Sequence, residues 1–317
     1  EFRRVLFRSA AGSFFVSGVG DIFGLIPLWR NIKPGDRRNR IASMVERQFR
    51  VVTHKRWLAE LFRPMGAVID HGFDIDPTTA LDTIWWAPGA WVASAHLSGV
   101  QLPLLSCGPD WLASVPREYR GRDVQNVTIN EIPPGKTEPT FAKLPEVKHD
   151  GIPAQVYSEC HLRDTLEQYR LPAETIWQLQ GPVRFTLEAR FWVAHGAIVA
   201  DSLYRIGNLI WGYNGFDRIA QRLDRSHALG AMRYMAKEVA HVVDAAPGYT
   251  LDIGLSNGRP LVIEANAAWS SGPYNGDPAG IFEAIKASHD FGGEYPQWAW
   301  THSPVFNKAR PLHLTAA

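Results

Sequence analysis

Residues 251–269 read LDIGLSNGRPLVIEANAAW. Two apolar runs flank a Ser-Asn-Gly-Arg-Pro break, and acid interrupts each of them: Asp252 in the first, Glu264 in the second, with Asn266 two residues on. The pattern predicts an antiparallel hairpin. Side chains alternate faces along a strand, so the loop length decides which residues share a face. A two-residue Asn-Gly turn would set Asp252 opposite Ile263 and scatter the apolar residues between faces. A five-residue loop over 256–260 instead pairs Leu255 with Leu261 and Asp252 with Glu264. It collects Leu251, Ile253, Leu255, Leu261, Ile263 and Ala265 on one greasy face. Pro260, which has no N–H to give a ladder, then sits in the loop. Binary pattern selects the five-residue loop.

That register gathers Asp252, Glu264 and Asn266 on the opposite face. Three oxygen ligands there suit a hard divalent cation. Mg²⁺ takes one or two carboxylates and fills its octahedron with water and substrate phosphates. The plain alternative is a solvated hairpin face on which acids carry no chemistry.

The chain around this hairpin has 317 residues, 45% hydrophobic and 21% charged, with a net charge of +1. Length suggests about two domains. The balance of charge supports neither a nucleic-acid nor an anionic-membrane partner. Two cysteines, Cys107 and Cys160, make no disulfide framework and fit a reducing compartment. Twelve tryptophans are many, but indoles mostly fill cores and pocket walls. EFRRVLFRS (1–9) resembles a translated cloning adaptor and is set aside. SFFVSGVGDIFGLIPLW (13–29) has a signal-like core, but Asp21 interrupts it, and no run approaches the ~20 apolar residues of a membrane span. Cytoplasm is the expected location.

Residues 10–65 stay unassigned as a domain, although RQFRVVTHKRWLAELF (47–62) reads as helical. From residue 66 to about 136 the chain reads as a small α/β domain. There LDTIWWA is strand-like and GAWVASAHLSGVQLPLLS follows, before the linker EIPPGKTEP (131–139). From 137 to 290 strands and helices mix. TFAKL (140–144) and ETIWQLQGPV (174–183) are strands, and RFTLEARFWVAHGAIVADSLYR (184–205) is a hairpin closing on His195-Gly196. A helix over 226–245 carries Met232, Met235, Val239 and Val242 on one stripe. Another over 278–288 has Asp277 to cap it and Pro278 at its first position. Residues 291–317 form a tail. Antiparallel hairpins among helices argue for α+β rather than a doubly wound parallel sheet.

Glu-x-Asn at a strand end, with an Asp on the preceding strand twelve residues earlier, resembles the metal-binding hairpin of ATP-grasp enzymes, closest to ribosomal-protein glutamate ligases. FAKLPEVKHDGIPAQVY, GPVRFTLEARFWVAHGAIVADSLYR and EANAAWSSGPYNGDPAGIFEAI are similar to the clade in which an arginine replaces the second nucleotide lysine. The resemblance covers roughly 105–290. It implies an ATP-grasp fold, two α+β subdomains clasping a nucleotide, preceded by the small α/β domain. It also implies ATP and Mg²⁺ or Mn²⁺ as cofactors.

Residue by residue, Lys143 matches the lysine that contacts the nucleotide phosphates, and Lys148 a second basic position. Glu188 and Arg190 match an acid-x-Arg signature, and Arg205 a basic residue on the return strand. With a two-residue turn, 190 faces 201 and 186 faces 205, so Glu188, Arg190 and Arg205 share one face. An ordinary Arg190–Asp201 cross-strand ion pair is the competing reading. WQLQGPV matches the strand linking the subdomains. Gly181 stands where relatives commonly place a glutamate, leaving adenine to groups at Gln180 through Val183. The metal set is Asp252, Glu264 and Asn266.

The chemistry implied is an ATP-dependent ligase joining a small-molecule or peptide carboxylate to an amine, or to a thiol, through an acylphosphate. Arg190 and Arg205 would serve catalysis, and Lys143, Lys148, Gln180, Val183 and Glu188 the nucleotide. A nucleotide- or peptide-binding module without turnover and a phosphotransferase are the alternatives. No covalent nucleophile is evident, since the serines lack a G-x-S-x-G elbow. DHGFD (70–74) is a weak metal candidate, more simply structural. Asp252 and Glu264, as site acids, are expected to be replaceable by their amides without loss of fold.

Overall fold

The computed structural model describes residues 47–135, 138–148, 151–157 and 162–315. The adaptor-like residues, the signal-like stretch, most of the unassigned segment and Cys160 lie outside the described residues. Over 47–62 the expected single helix is instead a strand, β1 (Phe49–Val52), followed by a helix, α1 (Arg56–Phe62). Phe49, Val51 and Val52 suit a pleated, buried surface. β1 is the centre of a three-stranded parallel sheet between β2 (Val68–Asp70) and β4 (Ile84–Trp86). Parallel neighbours need a crossover, and α1 provides it between β1 and β2. The short β3 (Asp74–Ile75) pairs in parallel with β14 (His313–Leu314), which ties the expected tail back to this sheet. Helix α2 (Gly89–Leu97) follows β4, as expected.

A four-stranded antiparallel sheet comes next, ordered β5 (Val124–Val127), β8 (Trp177–Gln180), β6 (Thr140–Lys143), β7 (Gln155–Tyr157). Ala142, Trp177 and Leu179 point into its core with Leu162 and Leu166. By alternation, Phe141, Lys143, Gln178 and Gln180 occupy the other face.

The largest sheet has five antiparallel strands, ordered β11 (Leu209–Ile210), β10 (Ala197–Ile206), β9 (Leu187–Ala194), β12 (Gly248–Ser256), β13 (Arg259–Ala267). One face, with Phe191, Val193, Leu251 and Ile253, is covered by α3 (His227–Val242). The buried stripe of α3 is Leu229, Met232, Ala236 and Val239; Val242, at the last position, is exposed. On the other face, α4 (Pro278–Ala287) covers Trp192 and Ala200 at one end, with the parallel sheet packed beyond it. Asp277 caps α4 by accepting from the Gly280 N–H at 2.9 Å. Gly248 permits this approach: a Cβ there would lie 2.2 Å from Ser288 N. The uncovered end of that face carries Glu188 and Arg190.

Both hairpins turn on two residues with positive φ, His195-Gly196 and Asn257-Gly258. The five-residue loop expected at 256–260 is therefore a two-residue turn, and Pro260 lies in edge strand β13. A β-bulge at Ile263 nevertheless restores the pairing of Asp252 with Glu264. The bulge also swaps the greasy face: Val262 is fully buried against α3's core, not Leu261 and Ile263. In the β9–β10 hairpin, bulges at Val199 and Tyr204 shift the expected register. Arg190 faces Ser202, and Arg205 faces Glu188.

His289 joins the sheets. Its Nε2 accepts the Trp85 N–H at 2.9 Å and its Nδ1 lies 2.8 Å from the Ile285 carbonyl, which requires a neutral ring protonated at Nδ1. Burial pulls its pKa down to about 4, against the pull of the Ile285 hydrogen bond. The unfolded chain gains a proton below about 6.5 that the folded chain refuses until about 4, so stability should fall as pH drops through this window. His289→Gln is expected to flatten the fall of melting temperature between these limits. An unchanged slope assigns the acid sensitivity to another group.

Candidate functional site

The uncovered end of the five-stranded sheet faces the polar face of the four-stranded sheet. Alternation and the bulges place Arg205, Glu188, Arg190, Asp252 and Glu264 in adjacent rows across β10, β9, β12 and β13. From the opposite sheet, Lys143 at the end of β6 reaches over and ion-pairs with Glu264. Arg190 donates from Nε and Nη2 to the two carboxylate oxygens of Asp252, each at 2.8 Å. The expected Arg190–Asp201 pair does not form, because the bulge at Val199 changes Arg190's partner. Asp201 instead receives Arg233 from α3 at 2.9 Å.

Electrostatics follow from burial. Arg190 and Asp252 side chains are 3% and 2% exposed. Burial disfavours charge on Arg190, but Asp252 more than compensates and raises its pKa. Burial also opposes ionisation of Glu264. The Lys143 charge, the hydrogen bond donated by Asn266 Nδ2 at 2.9 Å and the nearby Arg190 outweigh it, holding this acid near 2. Glu188 is raised, by burial first, against bonds from Tyr204 and Arg205; the Arg205 bond is 2.8 Å. Lys148 is reached by solvent yet set among protein atoms and other cations, and these lower its pKa, desolvation first and Arg190 next.

Two cavities meet at the Lys143–Glu264 pair, which lines both. The smaller, about 490 Å³, is bounded by Gln180, Gly181, Val183, Glu188 and Arg205, all but Gly181 among the residues expected to hold nucleotide or serve catalysis. The larger, about 870 Å³, takes in Lys148, Asn266 and the loop 270–273. Asp252 and Asn266 flank Glu264 through pairing and hydrogen bonding. Two carboxylates and an amide on one face fit a hard cation by donor type. Every one of these carboxylate oxygens already accepts from Arg190, Lys143 or Asn266, so a metal would enter by exchange with protein donors. Among the described residues no cluster of three or more His, Cys, Asp or Glu could hold a metal, DHGFD included. His71 there contacts the Thr53 carbonyl. Cys107 is buried and its thiol pushed well up, which fits no nucleophile.

Sequence reasoning missed four groups. Arg122, 6% exposed, lines the smaller cavity and donates to Gln180 Oε1 at 2.7 Å and to the carbonyls of Val262 and Ile263 at 2.8 and 3.0 Å. These carbonyls flank the bulge, so one guanidinium ties β8 to the strand that aims Glu264. Glu146 accepts from Ser106 Oγ at 3.2 Å and from the Gly108 N–H at 3.1 Å, and burial pushes it up to about 7. Tyr204 and Tyr274 stack at 5.0 Å, and the Arg190 guanidinium lies 5.2 Å from the Tyr274 ring. Trp211 and Trp57 extend this aromatic line, 5.7 and 5.2 Å apart in turn. No spacing signals Arg122 in YRGRD; only the bulge gives it a purpose. Arg122→Lys is expected to cost about 1–3 kcal/mol, since buried carbonyls lose donors. Chemical denaturation checks it, and a midpoint equal to the parent's removes the clamp.

A family profile for an ATP-grasp domain matches residues 84–285; it describes family 3 of the clade in which an arginine replaces the second nucleotide lysine. No curated protein matches the chain. Among solved structures, a RimK domain protein ATP-grasp from Sphaerobacter thermophilus DSM 20745 is 13% identical, with TM-score 0.41 over 76% of this chain and 97% of that one. D-alanine–D-alanine ligase from Bacillus anthracis, complexed with ATP, is 11% identical, with TM-score 0.42 over 76% and 95%. An L-amino acid ligase from Bacillus licheniformis is 11% identical, with TM-score 0.37 over 70% and 67%. With a profile match that spans more than half of its length, the chain belongs to the ATP-grasp family, in the third family of that arginine-bearing clade.

Proposed function

We propose that the chain is an ATP-dependent ligase that joins a carboxylate to an amine, or to a thiol, by way of an acylphosphate. The observation that carries this reading is the junction of two cavities at Lys143 and Glu264, where a nucleotide on one side would meet an acceptor on the other. A carboxylate acylates poorly because its leaving group would be oxide. Transfer of the γ-phosphoryl group to its oxygen supplies phosphate as the leaving group, which the amine then displaces.

Such transfer depends on positioning and neutralisation of charge. Lys143 and Lys148 face the junction and would hold phosphate oxygens, while Arg190 and Arg205 present cations on the sheet below. Backbone groups at 180–183 and Gln180 would border the base, and Glu188 the sugar side of the smaller cavity. Mg²⁺ or Mn²⁺, held by Asp252, Glu264 and Asn266, would neutralise the triphosphate. The bonds now joining cations to carboxylates would then loosen in favour of phosphate and metal. No helix among the described residues is long and apolar enough to cross a membrane.

Phosphate release that requires ATP, a divalent metal and a carboxylate is the expected outcome. ATP binding without turnover favours the binding module, and phosphate left on a stable product favours the phosphotransferase. Asp252→Asn and Glu264→Gln should both abolish release, but at unequal cost to the fold, contrary to the expectation from sequence. Asp252→Asn strands the buried Arg190 and should cost about 3–5 kcal/mol. Glu264, with a side chain 23% exposed against 2% for Asp252, should cost clearly less. Equal costs in urea titrations refute the distinction. Lys143→Met should weaken ATP binding about tenfold or more, a charge-assisted bond being lost; unaltered affinity removes Lys143 from the nucleotide site.

A further inference from the structure

Beyond the junction the larger cavity becomes a chamber walled by indole rings. Trp86, Trp91, Trp269 and Trp300 line it, and none is more than 8% exposed. Three have their N–H committed to backbone oxygens: Trp86 to Ser271 at 2.9 Å, Trp91 to Gly72 at 3.1 Å, Trp269 to Leu105 at 2.8 Å. An indole whose N–H is satisfied elsewhere offers a neighbour chiefly carbon surface. Packed in the core and tethered by these bonds, the rings hold their positions before any ligand arrives.

Size and polarity then narrow the occupant. A volume of about 870 Å³ far exceeds a two- or three-carbon acid and falls in the range that holds ligands of drug size. Charge gathers on the side formed by β6, its following loop and β13, with Lys143, Glu146, Lys148 and Glu264. The chamber thus suits a molecule with an ionic head at the junction and a broad apolar body against the tryptophans.

We infer that the carboxylate substrate is an aryl-bearing acid, its ring system seated among Trp86, Trp91, Trp269 and Trp300 and its carboxylate at the Lys143–Glu264 junction. The role of the carboxylate rests on the ligase reading above; the preference of the chamber for a ring does not. Calorimetric titration of the full chain with indolylpropanoate and with propanoate compares two acids that share a head and differ in the ring. The ring acid is expected to bind at least about tenfold more tightly, a buried ring being worth more than ~1.4 kcal/mol. Equal or weaker binding overturns the inference.

Gly89 lines the same chamber, and a Cβ there meets nothing nearer than Ser270 Oγ at 4.0 Å. Gly89→Leu should therefore fold and partly fill the chamber. It is expected to weaken the ring acid about tenfold, with melting temperature and ATP affinity close to the parent's. An unchanged affinity for the ring acid places that ligand elsewhere and overturns the inference. Phosphate release with ATP, Mg²⁺ and hydroxylamine separates the two readings. If propanoate stimulates release and indolylpropanoate does not, the ligase stands and the aryl preference falls. If neither acid stimulates, while the ring acid still binds more tightly and Gly89→Leu still weakens it, the chamber stands and the ligase falls.

Discussion

Four charges share one cleft, and none is tolerable there alone. Arg190 and Asp252 are almost wholly buried, and Lys143 and Glu264 largely so. An unpaired ion at such a site costs several kcal/mol, more than most single contacts return. The pairing therefore dictates the architecture around it. β9 and β12 must keep Arg190 opposite Asp252, β13 must hold Glu264 beside them, and the four-stranded sheet must close far enough for Lys143 to complete the set. Two cations balance two carboxylates, so a polyanion with its metal would find partners of both signs in place.

The hairpin shows how a right pairing can come from a wrong loop. Counting faces on the sequence favours five loop residues because the fold needs Asp252 across from Glu264. The chain meets that need with a two-residue turn and one extra residue at Ile263. A bulge leaves no compositional mark, since any residue can occupy it and its cost is met by a distant donor, here Arg122. The same blindness explains Arg190. Without the bulge at Val199 its partner would be Asp201; with it, the partner comes from a strand more than fifty residues onward.

What was legible was periodic or punctuated. Asp277-Pro278, His195-Gly196, the α3 stripe and the strands TFAK and WQLQ needed only local rules, and the acidic hairpin carried the family's signature. What was illegible depended on long-range partners. FRVV reads as the start of a helix until two parallel neighbours claim it, and Arg122 and Glu146 acquire meaning only through contacts with remote backbone. Tryptophans were counted but could not be placed, because core and pocket wall share one composition.

Trp57 on α1 and Trp211 just past β11 stand 5.2 Å apart, and Tyr274 continues the line toward Arg190. Indoles so close couple their electronic transitions, with a sign and strength set by their mutual angle. The parallel sheet's side of the molecule and the five-stranded sheet's side each contribute one member of the pair. Near-ultraviolet circular dichroism of the unlabelled protein thus carries an optical gauge of the gap between them, readable while ligands are added.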